Sequence, residues 1–325
     1  MQTLQQNIEH SKRPLLLSQD NYRGRFAPSP SGFLHFGSLI AALASYLDAK
    51  AFINDNGEQG QWLVRIEDID PPREQAGATQ AILKTLEAFG MHWDEQVLYQ
   101  SKQSEYYQDI LSSLHKQQLS YYCQCTRAQI KAIGGIYQGH CRSENHQAQG
   151  SAIRLVNHYG LHQFDDLFQG NVSCDKALAN EDFIIHRKDG LFAYQLAVVA
   201  DDIAQNINHV VRGCDLLEPT ARQLTLYKTL SINMFNCATP QYGHIPLAVA
   251  SKGFKLSKQN KATAIDNKKP QPTLIAALEF LGQAPKPELS YGSIEEIIQW
   301  AIDNWQRDKV PNTVEININQ ANIHQ

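Results

Sequence analysis

The sequence lacks the long hydrophobic runs that membrane spans and secretory signals require. A membrane-spanning helix needs about 20 consecutive apolar residues, and the longest candidate, Phe192–Ala200, is much shorter. The first residues, Met1–Gln19, are polar apart from Leu15–Leu17 and contain no small-residue cleavage site. We therefore expect neither a membrane protein nor a secreted one.

The chain also has little excess charge and few cysteines. With 29 Lys and Arg against 33 Asp and Glu, the formal net charge is -4 at pH 7, so composition alone does not indicate a nucleic-acid partner. Six cysteines among 325 residues are too few for a disulfide scaffold, and Cys123, Cys125 and Cys141 lie close together in the sequence. These features predict a reduced, cytoplasmic protein whose thiols are free to bind a metal.

The hydrophobic pattern predicts an α/β fold. Strand-like segments at Tyr22–Ala27 and Trp62–Ile66 are each followed by a helix-like segment, one around Leu39–Leu47 and one over Thr79–Phe89. This alternation is typical of a parallel sheet with helices packed on its faces.

Changes in composition divide the chain into parts. The alternation of strand-like and helix-like segments stops over about 103–180, where the three clustered cysteines lie. Lysine becomes frequent after Ser251, and helical patterns follow at Thr273–Leu281 and Ser293–Arg307. The predicted parts are a flexible tail (1–21), a catalytic domain (22–250) containing an insertion (103–180), and a basic loop with a small helical domain (251–325).

The segment Arg25–Ser38 combines a short strand, a rigid proline-containing turn and the start of a helix that bears His35 and Gly37. Helix N-termini carry unpaired N–H groups and the positive end of the helix dipole, so they bind phosphates well. Gly37 would let a nucleotide approach the backbone, and His35 would donate to phosphate oxygens that gain charge during transfer. Alone, the same residues also fit a loop that caps an ordinary core helix.

A second basic segment, Lys255–Gln259, follows the apolar stretch Ile245–Val249. Two lysines three residues apart on a loop can close over a triphosphate, because each carries a compact positive charge. By itself such a segment is more typical of a solvated loop. Its occurrence downstream of His35 and Gly37 favours a nucleotide site.

Together the two segments resemble the signatures of class I aminoacyl-tRNA synthetases, here His35–Ser38 and Lys255–Gln259. The flanking residues are similar to those of the glutamyl branch: Arg25–Ser29, Arg65–Asp70, and Tyr194 followed by Asp201 and Asp202. Both signatures are closest to truncated members of that branch, the glutamyl-Q tRNA(Asp) synthetase family.

This resemblance, which extends over about 22–261, implies a Rossmann-type catalytic domain that activates glutamate with ATP and Mg²⁺ and releases pyrophosphate. The residues implied in catalysis are His35, Gly37, Lys255 and Lys258. The implied glutamate-binding residues are Arg25, Phe26, Ala27, Pro28, Ser29, Glu67, Tyr194 and Arg212. The implied ATP-binding residues are His35, Ser38 and Lys258.

The resemblance also implies one zinc ion, held by Cys123, Cys125, Tyr137 and Cys141. His140 is chemically the more ordinary fourth ligand, so Tyr137 and His140 stay alternatives at this position. Because protein atoms would fill all four positions of the tetrahedron, we expect a structural role for the ion.

The length of the chain bears on the acceptor. Only 67 residues follow Lys258 in the 325-residue chain, which is room for a small helical domain without an anticodon-reading one. The truncated relatives attach glutamate to queuosine in the anticodon loop of tRNA(Asp), and the resemblance implies the same function here. The alternatives are a shortened synthetase that charges a tRNA 3′ end and a non-catalytic RNA-binding relative. We expect a monomer.

Overall fold

The structure is a computed structural model that describes residues 21–251, 254–255 and 265–318. The predicted tail at 1–21 lies outside the described residues except for Asn21, and so does Lys258 of the basic loop. Among the described helices, none combines the length and the apolar character that crossing a membrane demands.

Strands and helices alternate along most of the described chain. The strands are β1 (Arg23–Phe26), β2 (Gln61–Ile66), β3 (Leu98–Tyr99), β4 (Ser120–Cys123), β5 (Ala152–Leu155), β6 (Gln163–Asp166), β7 (Gly170–Ser173), β8 (Ile184–His186), β9 (His209–Gly213), β10 (Gln241–Ile245), β11 (Leu247–Ser251), β12 (Phe254–Lys255) and β13 (Glu315–Asn317). The α-helices are α1 (Phe36–Lys50), α2 (Ala78–Ala88), α3 (Ser104–Lys116), α4 (Arg127–Ala132), α5 (Lys176–Ala179), α6 (Tyr194–Ala204), α7 (Leu217–Asn233), α8 (Pro270–Phe280) and α9 (Ile294–Asp303).

A seven-stranded sheet with the order β3-β2-β1-β9-β10-β6-β7 forms the centre of the fold. All its pairings are parallel except that of β6 with β7. Five of the six residues of β2 are buried, as is typical of a parallel strand covered on both faces. The α/β fold class predicted from the sequence is thereby confirmed. Because β1 and β9 are neighbours, their carboxyl ends meet at one edge, where ligands bind in open α/β sheets.

The segment predicted as an insertion, 103–180, contributes to two sheets. Its strands β4 and β5 form a separate antiparallel sheet with β8. Its strands β6 and β7 instead extend the central sheet, where Asp166 of β6 pairs with Tyr242 of β10. The segment is therefore integrated into the central sheet as well as extending away from it.

The helices α8 and α9 pack against α1 and fix it in place. Phe36 of α1 meets Phe280 of α8 edge-on, with ring centroids 6.2 Å apart, and burying each such side chain contributes about 1.5–3 kcal/mol. The buried carboxylate of Asp48 accepts hydrogen bonds from the Tyr22 hydroxyl at 2.6 Å and from Arg307 Nε at 2.6 Å. Tyr22 precedes α1 and Arg307 follows α9, so segments near both ends of the described chain hold this helix. Its N-terminus therefore has a fixed position at the edge of the central sheet.

Candidate active site

A cavity of about 400 Å³ opens where β1, β2 and β9 end and α1 begins. Its walls include every described residue that the sequence predicts to bind glutamate or ATP: Arg25, Phe26, Ala27, Pro28, Ser29, His35, Ser38, Glu67, Tyr194 and Arg212. Gly37, predicted to act in catalysis, lines it too. Of the two predicted catalytic lysines, Lys255 belongs to β12 and Lys258 lies outside the described residues.

The first turn of α1 forms one wall of the cavity. His35 is the N-cap residue, and its N–H donates to Ser38 Oγ at 2.8 Å while the Ser38 N–H approaches His35 Nδ1 at 3.4 Å. Gly37 lies between them and has no side chain to cover the backbone of this turn. Since the N-terminus of a helix attracts anions, this wall is suited to phosphate oxygens.

Arg25 is fixed on the opposite wall by a buried carboxylate. Its Nε and Nη2 donate to the two oxygens of Asp202 at 3.1 and 3.2 Å, and Arg65 Nη2 donates to the same carboxylate at 2.6 Å. Burial acts to raise the pKa of Asp202, but the two guanidinium groups outweigh it and the pKa is lowered. Asp202 is therefore an ionised counter-charge that keeps Arg25 in one orientation.

Glu67 follows β2 and has an environment unlike that of Asp202. Its side chain is 8% exposed, and its nearest cation, Arg65 Nε, is 3.9 Å from Oε1. Burial raises the pKa of Glu67 to about 7, which Arg65 and Arg25 counteract only in part. No donor within the described residues makes a hydrogen bond to this carboxylate, so it is suited to accept one from a substrate ammonium.

Arg212, near the end of β9, is held by neutral groups. Its Nε donates to His244 Nε2 at 3.0 Å, and its Nη2 donates to Thr220 Oγ1 at 2.7 Å and to the Leu216 carbonyl at 3.3 Å. Its Nη1 is buried and has no hydrogen-bond partner in the part of the chain that the structure describes. A buried donor of this kind is rare and indicates a place where a ligand or water oxygen binds.

Tyr194 begins α6 and closes the cavity between the two arginines. Burial raises the pKa of its hydroxyl, while Arg212 and Arg25 partly oppose that rise, so the hydroxyl stays protonated at neutral pH. The cavity thus presents the carboxylates of Glu67 and Asp215, two guanidinium groups and the Tyr194 hydroxyl beside a helix N-terminus. This set can bind an amino acid with an extra carboxylate next to a phosphate group.

The cysteine cluster lies apart from this cavity, beside β4. The Sγ atoms of Cys123, Cys125 and Cys141 lie within 4.8 Å of one another, and those of Cys125 and Cys141 are 3.5 Å apart. Zn–S bonds of about 2.3 Å in a tetrahedron separate the sulfur atoms by about 3.8 Å, so the three thiols fit a zinc ion. Tyr137 is buried beside them and its hydroxyl accepts the Cys141 N–H at 2.8 Å, whereas His140 is exposed.

Sequence reasoning assigned no role to the residues that orient the two arginines. Asp202 entered only through the resemblance, as part of the acidic pair that follows Tyr194, and His244 is only the residue before an apolar stretch. A buried carboxylate next to an apolar helical run is a usable signal, because an acid placed there requires a buried partner. The sequence carries no comparable signal for His244.

The similarity of this chain to known proteins extends over nearly its whole length. The family model for the catalytic domain of class I tRNA synthetases (E and Q) matches residues 21–310. A glutamyl-Q tRNA(Asp) synthetase of Colwellia psychrerythraea is 74% identical over 314 residues, which cover 96% of this chain and 99% of the relative. The glutamyl-Q tRNA(Asp) synthetase of Escherichia coli K12 is 52% identical over 306 residues, 94% of this chain and 96% of the relative.

Solved structures share the fold at much lower identity. The glutamate-tRNA synthetase of Elizabethkingia anophelis superposes with a TM-score of 0.72 at 22% identity, covering 93% of this chain and 69% of that chain. At this identity the likeness concerns the fold alone. From the matched model and the close relatives, the chain belongs to the class I glutamyl- and glutaminyl-tRNA synthetase family, and within it to the glutamyl-Q tRNA(Asp) synthetases.

Proposed function

We propose that this protein activates L-glutamate with ATP and Mg²⁺ and transfers it to queuosine in the anticodon loop of tRNA(Asp). The observation that carries the proposal is a single cavity in which one wall suits glutamate and another suits a phosphate. Arg25, Glu67 and Arg212 suit the charged groups of glutamate, and the first turn of α1 suits a phosphate. The names of the close relatives support the acceptor. A cytoplasmic location and a monomeric state are part of the proposal.

In the activation step a glutamate carboxylate oxygen attacks the α-phosphorus of ATP, forming glutamyl-adenylate as pyrophosphate leaves. Glu67 binds the α-ammonium, and Arg25 and Arg212 bind carboxylate oxygens. His35 and the first turn of α1 stabilise phosphate oxygens as their charge grows. Mg²⁺ bound with ATP neutralises phosphate charge. Positioning and charge stabilisation supply the catalysis, with no covalent intermediate on the protein.

In the transfer step a hydroxyl of the cyclopentene-diol of queuosine attacks the carbonyl carbon of the adenylate. The new ester bond forms as the bond between the carbonyl carbon and the AMP oxygen breaks, and the hydroxyl proton passes to solvent water as AMP leaves. An anticodon base can reach such a cavity, because single-stranded loops present unstacked bases to proteins. Lys255 and Lys258 complete the proposal as the residues that close over the triphosphate during activation.

The acceptor is tested with labelled glutamate, ATP and two preparations of tRNA(Asp), one containing queuosine and one lacking it. We expect label only on the queuosine-containing tRNA, in the anticodon-loop fragment after ribonuclease digestion. Periodate treatment before the enzyme is added should abolish labelling, because it cleaves the diol. Equal labelling of both tRNAs at the 3′ end would show a shortened glutamyl-tRNA synthetase instead. Neither labelling nor glutamate-dependent pyrophosphate exchange would favour the non-catalytic alternative.

The same proposal includes one structural zinc ion held by Cys123, Cys125, Tyr137 and Cys141. The spacing of the three Sγ atoms supports it, and so does the position of the Tyr137 hydroxyl, 2.8 Å from the Cys141 nitrogen. When bound, the ion would cross-link β4 to the loop that carries Cys141. Stabilisation of that loop is its expected contribution.

We expect about one zinc per chain by elemental analysis, and its loss in Cys125→Ser. Cys237→Ser is the matched control, because Cys237 lies outside the cluster and should keep the ion. Tyr137→Phe should weaken zinc binding in chelator competition by at least about tenfold, since it removes one of four ligands. Unchanged affinity in Tyr137→Phe together with zinc loss in His140→Ala would identify His140 as the fourth ligand.

A further inference from the structure

We infer that His244 is a positioning residue that orients Arg212 toward a substrate carboxylate, and that Asp166 fixes the imidazole in the one tautomer able to do so. The inference deepens the proposed function and rests on it, because it concerns how the same cavity binds glutamate. The three residues lie on adjacent strands of the central sheet: Arg212 on β9, His244 on β10 and Asp166 on β6.

The tautomer of His244 follows from its hydrogen bonds. Arg212 Nε can only donate, so His244 Nε2, 3.0 Å away, must be the unprotonated acceptor. His244 Nδ1 then carries the proton and donates to Asp166 Oδ2 at 2.6 Å. Asp166 is itself fixed, because its Oδ1 accepts the backbone N–H groups of His244 and Gln169, both at 3.0 Å. Rotation of either side chain would break several bonds at once.

The acceptors around Arg212 are all uncharged. Arg25 forms an ion pair with the Asp202 carboxylate. Arg212 instead donates hydrogen bonds to an imidazole, a hydroxyl and a carbonyl. No carboxylate of the described residues lies within ion-pair distance of its guanidinium. Asp166 contacts His244 and not Arg212, and the Asp215 carboxylate lines the same cavity. Arg212 is therefore held in one orientation while its positive charge stays available to an anion.

The free edge of the guanidinium indicates where that anion binds. His244, Thr220 and the Leu216 carbonyl occupy Nε and Nη2, which leaves Nη1 as the unpartnered buried donor on a residue that lines the cavity. Without His244 the side chain would lose the contact on Nε and rotate about its terminal bonds. The Nη1 atom would then no longer have a fixed direction.

Two substitutions of His244 separate positioning from a general structural role. His244→Asn keeps an amide N–H near the Nδ1 position for Asp166 but removes the acceptor for Arg212. His244→Gln places an amide oxygen near the Nε2 position and restores that acceptor. Each variant retains one of the two hydrogen bonds of His244. A purely structural role therefore predicts that both variants lose similar amounts of glutamate affinity.

The dissociation constants of L-glutamate and of ATP are measured by titration calorimetry, with the melting temperature of each variant. We expect His244→Asn to weaken glutamate binding about 10- to 100-fold and to leave ATP binding within about threefold. His244→Gln should bind glutamate within about fivefold of the unmodified protein. Asp166→Asn should reproduce the effect of His244→Asn, because an amide donor at Nδ1 moves the imidazole proton to Nε2 and removes the acceptor.

Equal glutamate affinities in His244→Asn and His244→Gln, or parallel losses for glutamate and ATP, would overturn the inference. Should His244→Asn not fold, Asp166→Asn compared with His244→Gln gives the same decision. Arg212→Met separates this inference from the proposed function. If Arg212→Met leaves glutamate binding unchanged, the proposed role of the cavity is wrong. If Arg212→Met weakens binding and the His244 and Asp166 variants do not, only the positioning role is wrong.

Discussion

Replacing Asp202 with asparagine is expected to lower the free energy of unfolding by about 3–5 kcal/mol. Asparagine keeps the volume of the side chain but removes the negative charge between Arg25 and Arg65, which are 4% and 0% exposed. Asp201 and Glu67 lie 3.8 and 3.9 Å from Arg65 Nε, too far to replace the hydrogen bonds that are lost. Two buried cations would then be left without a hydrogen-bonded counter-charge, which is the most costly way to break a buried pair.

Urea denaturation at neutral pH measures this loss, and Asp189→Asn is the matched control. Asp189 also pairs with an arginine, Arg187, but its side chain is 52% exposed. Exposed pairs contribute at most about 1 kcal/mol, so the control should change the free energy of unfolding by no more than about 0.5–1 kcal/mol. If Asp202→Asn is as mild as the control, the buried pair does not stabilise the fold.

The elements with a clear hydrophobic period could be predicted from the sequence. The predicted strand Trp62–Ile66 and helix Thr79–Phe89 compare with Gln61–Ile66 and Ala78–Ala88 in the structure. Both segments bury an apolar face, so local sequence and final position agree. The strand β6 is different, because only one of its four residues is buried. Its place in the central sheet depends on pairing with β10, about 75 residues away, and no local pattern shows that.

The residues of the candidate site also fall into two groups, those that a local sequence pattern indicates and those that it does not. His35 and Glu67 stand where an element begins or ends, beside turns that the local sequence specifies, so a motif can indicate them. Asp202 and Arg25 are 177 residues apart, and Asp166 and His244 are 78 apart. Their contacts exist only because the strand order places β1, β9, β10 and β6 side by side. The residues that we propose to contact ligand could therefore be indicated by motifs, and those that hold them in position could not.

Glutamate affinity is expected to fall about 30-fold between pH 8 and pH 5.5, with the midpoint of the change near pH 7. Burial raises the pKa of Glu67 to about 7, and only its ionised form pairs with the α-ammonium of the substrate. Glu67→Gln should weaken glutamate binding by about 30-fold or more at pH 8, the effect of removing one partner of a buried charge pair. The variant should also lose most of the pH dependence, which titration calorimetry across this range would show.

The same substitution is expected to stabilise the free protein at pH 8. The pKa of Glu67 is about 7 in the folded chain against 4.5 for an ordinary glutamate, so the folded state binds the proton more tightly. Its contribution to stability is fully present below pH 4.5 and is lost as the pH rises through 7. Glutamine is neutral at every pH, so Glu67→Gln should raise the free energy of unfolding by up to about 3 kcal/mol at pH 8 and change it little at pH 4.

Urea denaturation at both pH values measures this difference, with the exposed Glu87→Gln as a control that should alter neither stability nor glutamate affinity. A Glu67→Gln variant less stable at pH 8 would show that the carboxylate is stabilised by Arg65 and Arg25 and not strained by burial. Opposite signs for stability and binding are the expected result at pH 8, because the ionised carboxylate is buried without a full counter-charge in the free protein and would gain one from the substrate ammonium.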